Sequence, residues 1–327
     1  MDERATAIQA WVASRLNSGE IDMQPASGDA SFRRYFRISS GADTWIAMDA
    51  PPDKEDCKPF MRVAGLLRRA GLHAPEVVEA DLEQGFLLLT DLGRQTYLDV
   101  LGDENADALF ADAVTALVQM QAAIKTGDLP LYNKELLQGE LDWYPDWYLA
   151  RHLGTAFSKT ETEVWRETCA ALIDNAVSQP QVFVHRDYMP RNLMISEPNP
   201  GIIDFQDAVL GPVTYDLLSL FRDAFISWDE KRVMEWVRRY WHAAQEARLS
   251  LPGDYQDFVR DFDWMGVQRH LKVIGIFSRL NYRDGKSGYL AEIPRFVEYI
   301  RLVGAKYSAF SGLLRVFDRV ESAVANQ

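Results

Sequence analysis

The pattern of apolar and polar positions divides the chain into two stretches of different character. Between Ser31 and Met48, SFRRYFRISSGADTWIAM, two aromatic and β-branched runs flank Ser-Gly-Ala-Asp, which predicts a hairpin turning near Gly41. A helix is predicted over residues 58–70, with Phe60, Val63, Leu66 and Leu67 at helical spacing and Gly71 as its stop. Short strands follow at 75–80 and 85–89, and Thr-Asp-Leu-Gly at 90–93 ends this block. Beyond it the period changes to that of helices. Leu109, Phe110, Ala113, Val114, Leu117, Met120 and Ile124 fall on one helical face, and a second amphipathic helix runs around Trp165, Leu172 and Ile173. One β segment interrupts the helices, with short strands at 182–184, 193–195 and 202–203 joined by Pro-, Asn- and Gly-rich turns. From Tyr215 onward nearly everything reads as helix. No internal repeat or low-complexity tract is visible.

This order predicts an α+β chain of two lobes: a small sheet-containing N-lobe over 1–92 and a larger, mainly helical C-lobe over 93–327. A ligand is expected in the cleft between such lobes. The length of 327 residues allows each lobe its own core. Composition then excludes several function classes. The net charge is 35 − 48 = −13, against a nucleic-acid binder, which needs a basic face. Two cysteines, Cys57 and Cys169, make neither a disulfide framework nor a zinc cluster, so a reducing, cytoplasmic setting is expected. The first residues, MDERATAIQAWVASRL, mix charges into apolar positions and do not read as a signal peptide. No apolar run approaches the roughly 18 residues that span a bilayer. No membrane contact and no obligate protein partner are expected, and a monomer is the default.

The chemistry is concentrated in His185-Arg186-Asp187-Tyr188-Met189-Pro190-Arg191-Asn192, with Asp204 twelve residues after Asn192 at the end of the apolar run Gly201-Ile202-Ile203. Phosphoryl transfer needs a carboxylate at the attacking hydroxyl and oxygen ligands that hold Mg²⁺ against the nucleotide. A tight loop can present Asp187 to the acceptor while Asn192, five residues on, turns to the metal and Asp204 supplies its charged ligand. His-Arg-Asp alone carries little information; the ordered set of strand, motif, strand, turn, strand and Asp within 20 residues carries much more.

VHRDYMPRNLMI followed by GIIDFQDAVLGPVTYDLLSLFRDA resembles the aminoglycoside phosphotransferase and choline kinase family, whose fold is protein-kinase-like. Asp204-Phe205-Gln206 follows the family's Asp, aromatic, non-glycine pattern, and Gly211-Pro212 and Tyr215-Asp216-Leu217 meet its downstream elements. The resemblance implies ATP and Mg²⁺ as cofactors, Asp187 as the base or hydroxyl-orienting carboxylate, and Asn192 and Asp204 as metal ligands. It makes Asp216 a structural partner of the catalytic loop. GDASFRRYFRI from Gly28, FLLLTDLG from Phe86 and QRHLKVIGIFSRLNYRDGKSGYL from Gln268 are similar to a group of bacterial anomeric sugar kinases. Those enzymes make the 1-phosphates of N-acetylmuramate and N-acetylglucosamine in cell-wall recycling.

Two departures from the family pattern stand out. The expected nucleotide loop is not glycine-rich, so Ser31, Phe32, Arg33 and Arg34 with their main-chain N–H groups are its candidates. The family's strand lysine is absent from Trp45-Ile46-Ala47-Met48-Asp49, and Arg33, Arg34 or Arg37 could supply the missing charge to the phosphates. Thr90, Asp91 and Leu92 are the candidate adenine connector. Acceptor candidates are Tyr188, Arg191, Asp146, Arg269, His270 and Asn281, with Tyr282 beside them. The segment ELDWYPDWY from Glu140 suits a pyranose through its aromatics and acids, yet its helical spacing equally suits a core-facing stripe. An aminoglycoside or choline kinase and a nucleotide-binding pseudokinase remain open. Retention of Asp187, Asn192 and Asp204 together argues against the pseudokinase.

Overall fold

The computed structural model describes residues 2–18, 20–27, 32–125, 127 and 129–325. They pack as two compact units, 1–124 with 190–208 and 125–189 with 209–327. The first unit begins with helix α1 (Glu3–Leu16), capped by the Asp2 side chain on the Arg4 N–H at 3.0 Å. Strands β1 (Asp22–Ser27), β2 (Arg34–Ser40) and β3 (Asp43–Asp49) follow, then helix α2 (Cys57–Arg69), β4 (Val77–Asp81) and β5 (Phe86–Thr90). They form one antiparallel sheet in the order β1-β2-β3-β5-β4. The expected hairpin is β2–β3, and Gly41 turns it at a φ of 62°, which a side chain would strain.

Alternation along the strands covers both sheet faces. Phe86 and Leu88 of β5 join Ile38, Ala47 and the Ile8, Trp11 and Val12 face of α1 in one core cluster. Leu87 and Leu89 point the other way and are buried too, so β5 is a central strand with no wet face. Short α3 (Tyr97–Val100) and long α4 (Ala106–Ala123) complete this stretch.

In the second unit, α5 (Lys134–Trp143) is capped by Asn133, whose side chain accepts the Leu136 N–H at 2.9 Å. It runs on as a π-helix over Tyr144–His152. Pro145 has no N–H to continue the α-helical ladder, which explains why the winding changes there. Helix α6 (Lys159–Ser178) and strand β6 (Gln181–Val184) follow. The chain then returns to the first unit for a 3-10 turn (Pro190–Asn192) and the hairpin β7 (Leu193–Met194) and β8 (Gly201–Ile202). Strand β9 (Val209–Pro212) pairs with β6 in the second unit, followed by α7 (Tyr215–Phe221), α8 (Glu230–Glu246), α9 (Tyr255–Asp284), α10 (Ile293–Gly304) and α11 (Ser311–Ala325). The sequence pattern predicted most of these elements. It did not predict α1, the short α3, β1, a polar strand containing Pro25, or β9, which contains Gly211-Pro212. Among the described residues no helix is long and apolar enough to cross a membrane.

Candidate active site

The candidate catalytic loop hangs from β6, whose Val182, Phe183 and Val184 are buried and hydrogen-bonded in register with β9. Immediately after the strand, Asp216 at the start of α7 accepts the main-chain N–H groups of His185 (2.6 Å) and Arg186 (3.0 Å). Arg186 has a φ of 76°, a left-handed conformation that an arginine adopts only when its surroundings hold it there. The Asp187 N–H points to His185 Nδ1 at 3.3 Å, and the Asp187 carbonyl accepts the Met189 N–H at 3.0 Å.

Asp187 itself leaves 46% of its side chain exposed, with Arg269 of α9 at 3.6 Å. Desolvation works against ionisation of this carboxyl, but Arg269, then Lys272, Arg186 and His185 outweigh it and hold its pKa below the ordinary aspartate value. It is therefore anionic at neutral pH, as a proton acceptor or hydroxyl-orienting group must be. Asp216 shows the opposite balance. Burial pushes it up to about 7 despite the two N–H groups it accepts, and the nearby Asp187 charge adds to the rise.

Within the first unit, the 3-10 turn and the β7–β8 hairpin bring Asn192 and Asp204 together, with Asn192 Nδ2 to Asp204 Oδ2 at 3.4 Å. The hairpin is held by its neighbours in that unit: Ile202 N–H bonds to His73 O at 2.7 Å and Ile195 N–H to Gln95 O at 2.9 Å. Asp204 has a φ of 62°, and Phe205 packs on Phe60 of α2 with ring centroids 4.9 Å apart. Gln206 Nε2 donates to Asp204 Oδ1 at 2.9 Å. Asn192 turns its Nδ2 to Asp204 here, and with its amide rotated the two side chains offer an amide oxygen and a carboxylate, both hard donors. Mg²⁺ takes one or two such protein ligands and completes its shell with water and phosphate, so this pair fits it.

The nucleotide candidates lie at the sheet. Ser31 falls outside the described residues. Phe32 is exposed, and Arg33 pairs with Glu55 at 2.8 Å. Arg34 is held by Asp2 and by the buried Asp49, and Arg37 forks onto Asp91 at 2.7 and 2.9 Å. The Asp91 side chain thus serves an ion pair. Thr90 Oγ1 accepts the Glu76 N–H at 2.9 Å, and Leu92 is buried.

Of the acceptor candidates, Arg269 is brought to Asp187, at 3.6 Å. Arg191 is half-buried in the 3-10 turn of the first unit, Asp146 is exposed on the π-helix, and Asn281 is half-buried near the end of α9. Tyr188 is fully buried, edge-on to His185. His270 is also fully buried, stacked on Tyr299. The aromatic segment divides in the same way, with Tyr144 buried between Trp165 and Phe317.

Sequence reasoning missed two residues around the loop, Glu140 and Lys272. Glu140 of α5 is buried, its Oε1 meeting Arg186 Nη2 at 2.5 Å and Lys272 Nζ at 2.9 Å, while Tyr132 donates its hydroxyl to Oε2. Burial alone would neutralise this acid, but Lys272 and then Arg186 outweigh it and keep it ionised. The only sequence signal was the placement of charged residues at apolar-periodic positions of α5 and α9.

A model of a phosphotransferase enzyme family matches residues 22–256. The chain belongs to this family. It is 52% identical over 93% of its length, and 93% of the relative's, to an N-acetylmuramate/N-acetylglucosamine kinase of Pseudomonas aeruginosa. A kinase of the same name from Neisseria meningitidis is 42% identical over 95% of this chain and 94% of its own. In fold the chain is similar to a choline kinase of Streptococcus pneumoniae, with a TM-score of 0.67 at 13% identity over 94% of this chain and 100% of that one. The fold is thus protein-kinase-like and the chain a phosphotransferase that uses ATP and a hydroxyl acceptor.

Proposed function

We propose that the chain is an ATP- and Mg²⁺-dependent kinase that phosphorylates the anomeric (C1) hydroxyl of N-acetylmuramate and N-acetylglucosamine in cell-wall recycling. The observation that carries the acceptor is the near-full-length identity to kinases named for these two sugars. In this reading residues 1–92 bind the nucleotide, and residues 93–327 supply the catalytic loop, the metal ligands and the acceptor site. The two buried, unpaired cysteines suit a cytoplasmic enzyme, where ATP is supplied.

The chemistry assigned to Asp187 follows from its charge and exposure. As the acceptor oxygen forms its bond to the γ-phosphorus and the bond to the β,γ-bridging oxygen breaks, the hydroxyl proton passes to Asp187 Oδ and ADP leaves. Arg269, 3.6 Å from that carboxylate, keeps it anionic and available. Asn192 and Asp204 would hold Mg²⁺, which supplies charge neutralisation on the phosphates. Ser31, Phe32 and Arg33 and the main chain of the connector Thr90, Asp91 and Leu92 are the residues assigned to ATP, while the side chains of Arg34 and Asp91 are committed to ion pairs. Arg269 is retained for the acceptor, with Arg191, Asp146 and Asn281 as further contacts. Tyr188 and His270 are assigned to packing because their side chains are sealed.

A coupled ADP-release assay over N-acetylmuramate, N-acetylglucosamine, glucose, choline and kanamycin tests the acceptor, and phosphorus NMR of the product tests the position. Turnover with the two N-acetyl sugars and a sugar 1-phosphate product are expected. Turnover confined to choline or kanamycin, or a 6-phosphate product, would overturn the proposal.

A further inference from the structure

Glu140 lies 47 residues before Asp187 in the chain, yet it is bonded to that residue's neighbour, Arg186. Both its oxygens are engaged: Oε1 by Arg186 and Lys272, Oε2 by the Tyr132 hydroxyl and, at 3.5 Å, by Gln268 Nε2. Lys272 has a second partner, the Tyr215 hydroxyl at 2.9 Å. Tyr215 directly precedes Asp216, which grips the loop's main chain. Arg186 is consequently fixed at both ends, its N–H on Asp216 and its guanidinium on Glu140, with the Tyr132 ring 5.5 Å away.

In a residue gripped in this way a change of φ swings the side chain away from its carboxylate and is resisted by the Glu140 ion pair. Arg186 is the immediate neighbour of Asp187 and sits at a φ of 76°, which costs energy for a side-chain-bearing residue. Without the clamp, the favoured return to negative φ would rotate the peptide that leads into Asp187. Removing Glu140 would also free the guanidinium to turn on the Asp187 carboxylate and occupy it.

We propose that Glu140 is a positioning residue for the transfer step: through Arg186 and Lys272 it locks the main chain at 186 and keeps the Arg186 charge off Asp187. This rests on the reading of Asp187 as the proton acceptor. The helix geometry supports it, because α9 reaches Glu140 only by approaching α5 closely. At Gly275 a Cβ atom would lie 2.5 Å from the Trp143 carbonyl carbon, three residues beyond Glu140.

The test measures kcat, the KM for ATP and for N-acetylmuramate, and the thermal midpoint of the full chain for the wild type, E140L/K272M, E140Q and D187N. Replacing the Glu140–Lys272 pair by apolar groups of similar size removes both of those charges together, and the Arg186 guanidinium, 20% exposed, is left to turn to water or to Asp187, so E140L/K272M is expected to keep its fold. Its kcat should fall by about ten- to a hundredfold with both KM values within about twofold, the mark of lost alignment rather than lost binding. Should that variant fail to fold, E140Q keeps the side-chain volume and is expected to show the same split. Wild-type kcat in a folded E140L/K272M or E140Q, with D187N inactive, would overturn the role of Glu140 and leave Asp187 in place. A raised KM at unchanged kcat would overturn it too, making Glu140 a binding residue. Full activity in D187N would instead remove the reading on which the proposal stands.

Discussion

Asp216 holds Arg186 by its main chain, the carboxylate Oδ1 accepting the Arg186 N–H at 3.0 Å while Oδ2 takes the N–H of His185. Burial raises the pKa of Asp216 to about 7, so the folded protein keeps a proton on it that the unfolded chain releases near 4. Between those values the folded state binds more protons, and stability contributed by this site therefore declines as pH rises from about 4 to about 7. Thermal midpoints measured across that window should fall with pH less steeply in Asp216→Asn, which cannot ionise. An identical slope in the variant would contradict the assignment. The asparagine also turns an N–H₂ toward one of the two loop amides, so a midpoint below wild type at pH 7 is expected as well.

Arg269 depresses the Asp187 pKa at a distance of 3.6 Å. Arg269→Met should move the Asp187 titration upward, toward or above the ordinary aspartate value, because desolvation would then meet less opposition. Carboxyl-carbon NMR of the labelled protein would register the change. A midpoint unmoved by the substitution would show that Arg269 does not set the ionisation of this group.

Asp204→Ala should lower MgATP affinity by at least tenfold, about 1.4 kcal/mol, since it leaves Asn192 as the one remaining protein donor of the pair. Isothermal titration with and without Mg²⁺ separates the metal-dependent part. Equal affinity in the variant and wild type would remove Asp204 from the metal site.

Gly275→Ala puts a methyl group against the Trp143 main chain, where neither partner can yield without moving a helix. A loss of about 1–3 kcal/mol in denaturant unfolding is expected from such overpacking. Because α9 also carries Gln268, Arg269 and Lys272, the variant's kcat should fall at temperatures where it is still folded. Unchanged stability would mean that α9 and α5 do not pack as described.

The Arg37–Asp91 fork, with side chains 14% and 6% exposed, is nearly sealed and is reinforced by the Gly93 carbonyl on Arg37. Asp91→Ala would strand that guanidinium, at a cost of about 2–4 kcal/mol in chemical denaturation. A simultaneous Arg37→Met should recover part of the loss. If the double variant is no better than Asp91→Ala, the pair is not coupled.

The phosphotransfer motif was legible because its parts are local: a strand, a loop, a hairpin and a carboxylate follow one another within twenty residues, and each spacing has a chemical reason. The β2–β3 hairpin, α2 and the helices beyond Gly93 were legible through period and punctuation. What stayed hidden depends on partners distant in the chain. Nothing in the local pattern around Glu140 or Lys272 tells that they meet, 132 residues apart, or that Arg34 and Arg37 meet Asp49 and Asp91. Those arginines looked like available phosphate cations because their neighbours across the sheet were not visible. Tyr188 and His270 looked like acceptor contacts for a similar reason, since motif position says where a residue lies along the chain and not which way its side chain faces.

Phe205 makes the Asp204 carboxylate a passenger of α2. The Phe60–Phe205 contact anchors the residue next to the candidate metal ligand to a helix whose own register is set by Asp56 at its N-terminus. Local melting of α2 would let Phe205 swing and relax Asp204 toward an ordinary backbone conformation while the sheet stayed intact. Metal affinity should therefore fade with warming ahead of global denaturation, following the fraying of α2, and hydrogen exchange in residues 57–69 would serve as its thermometer.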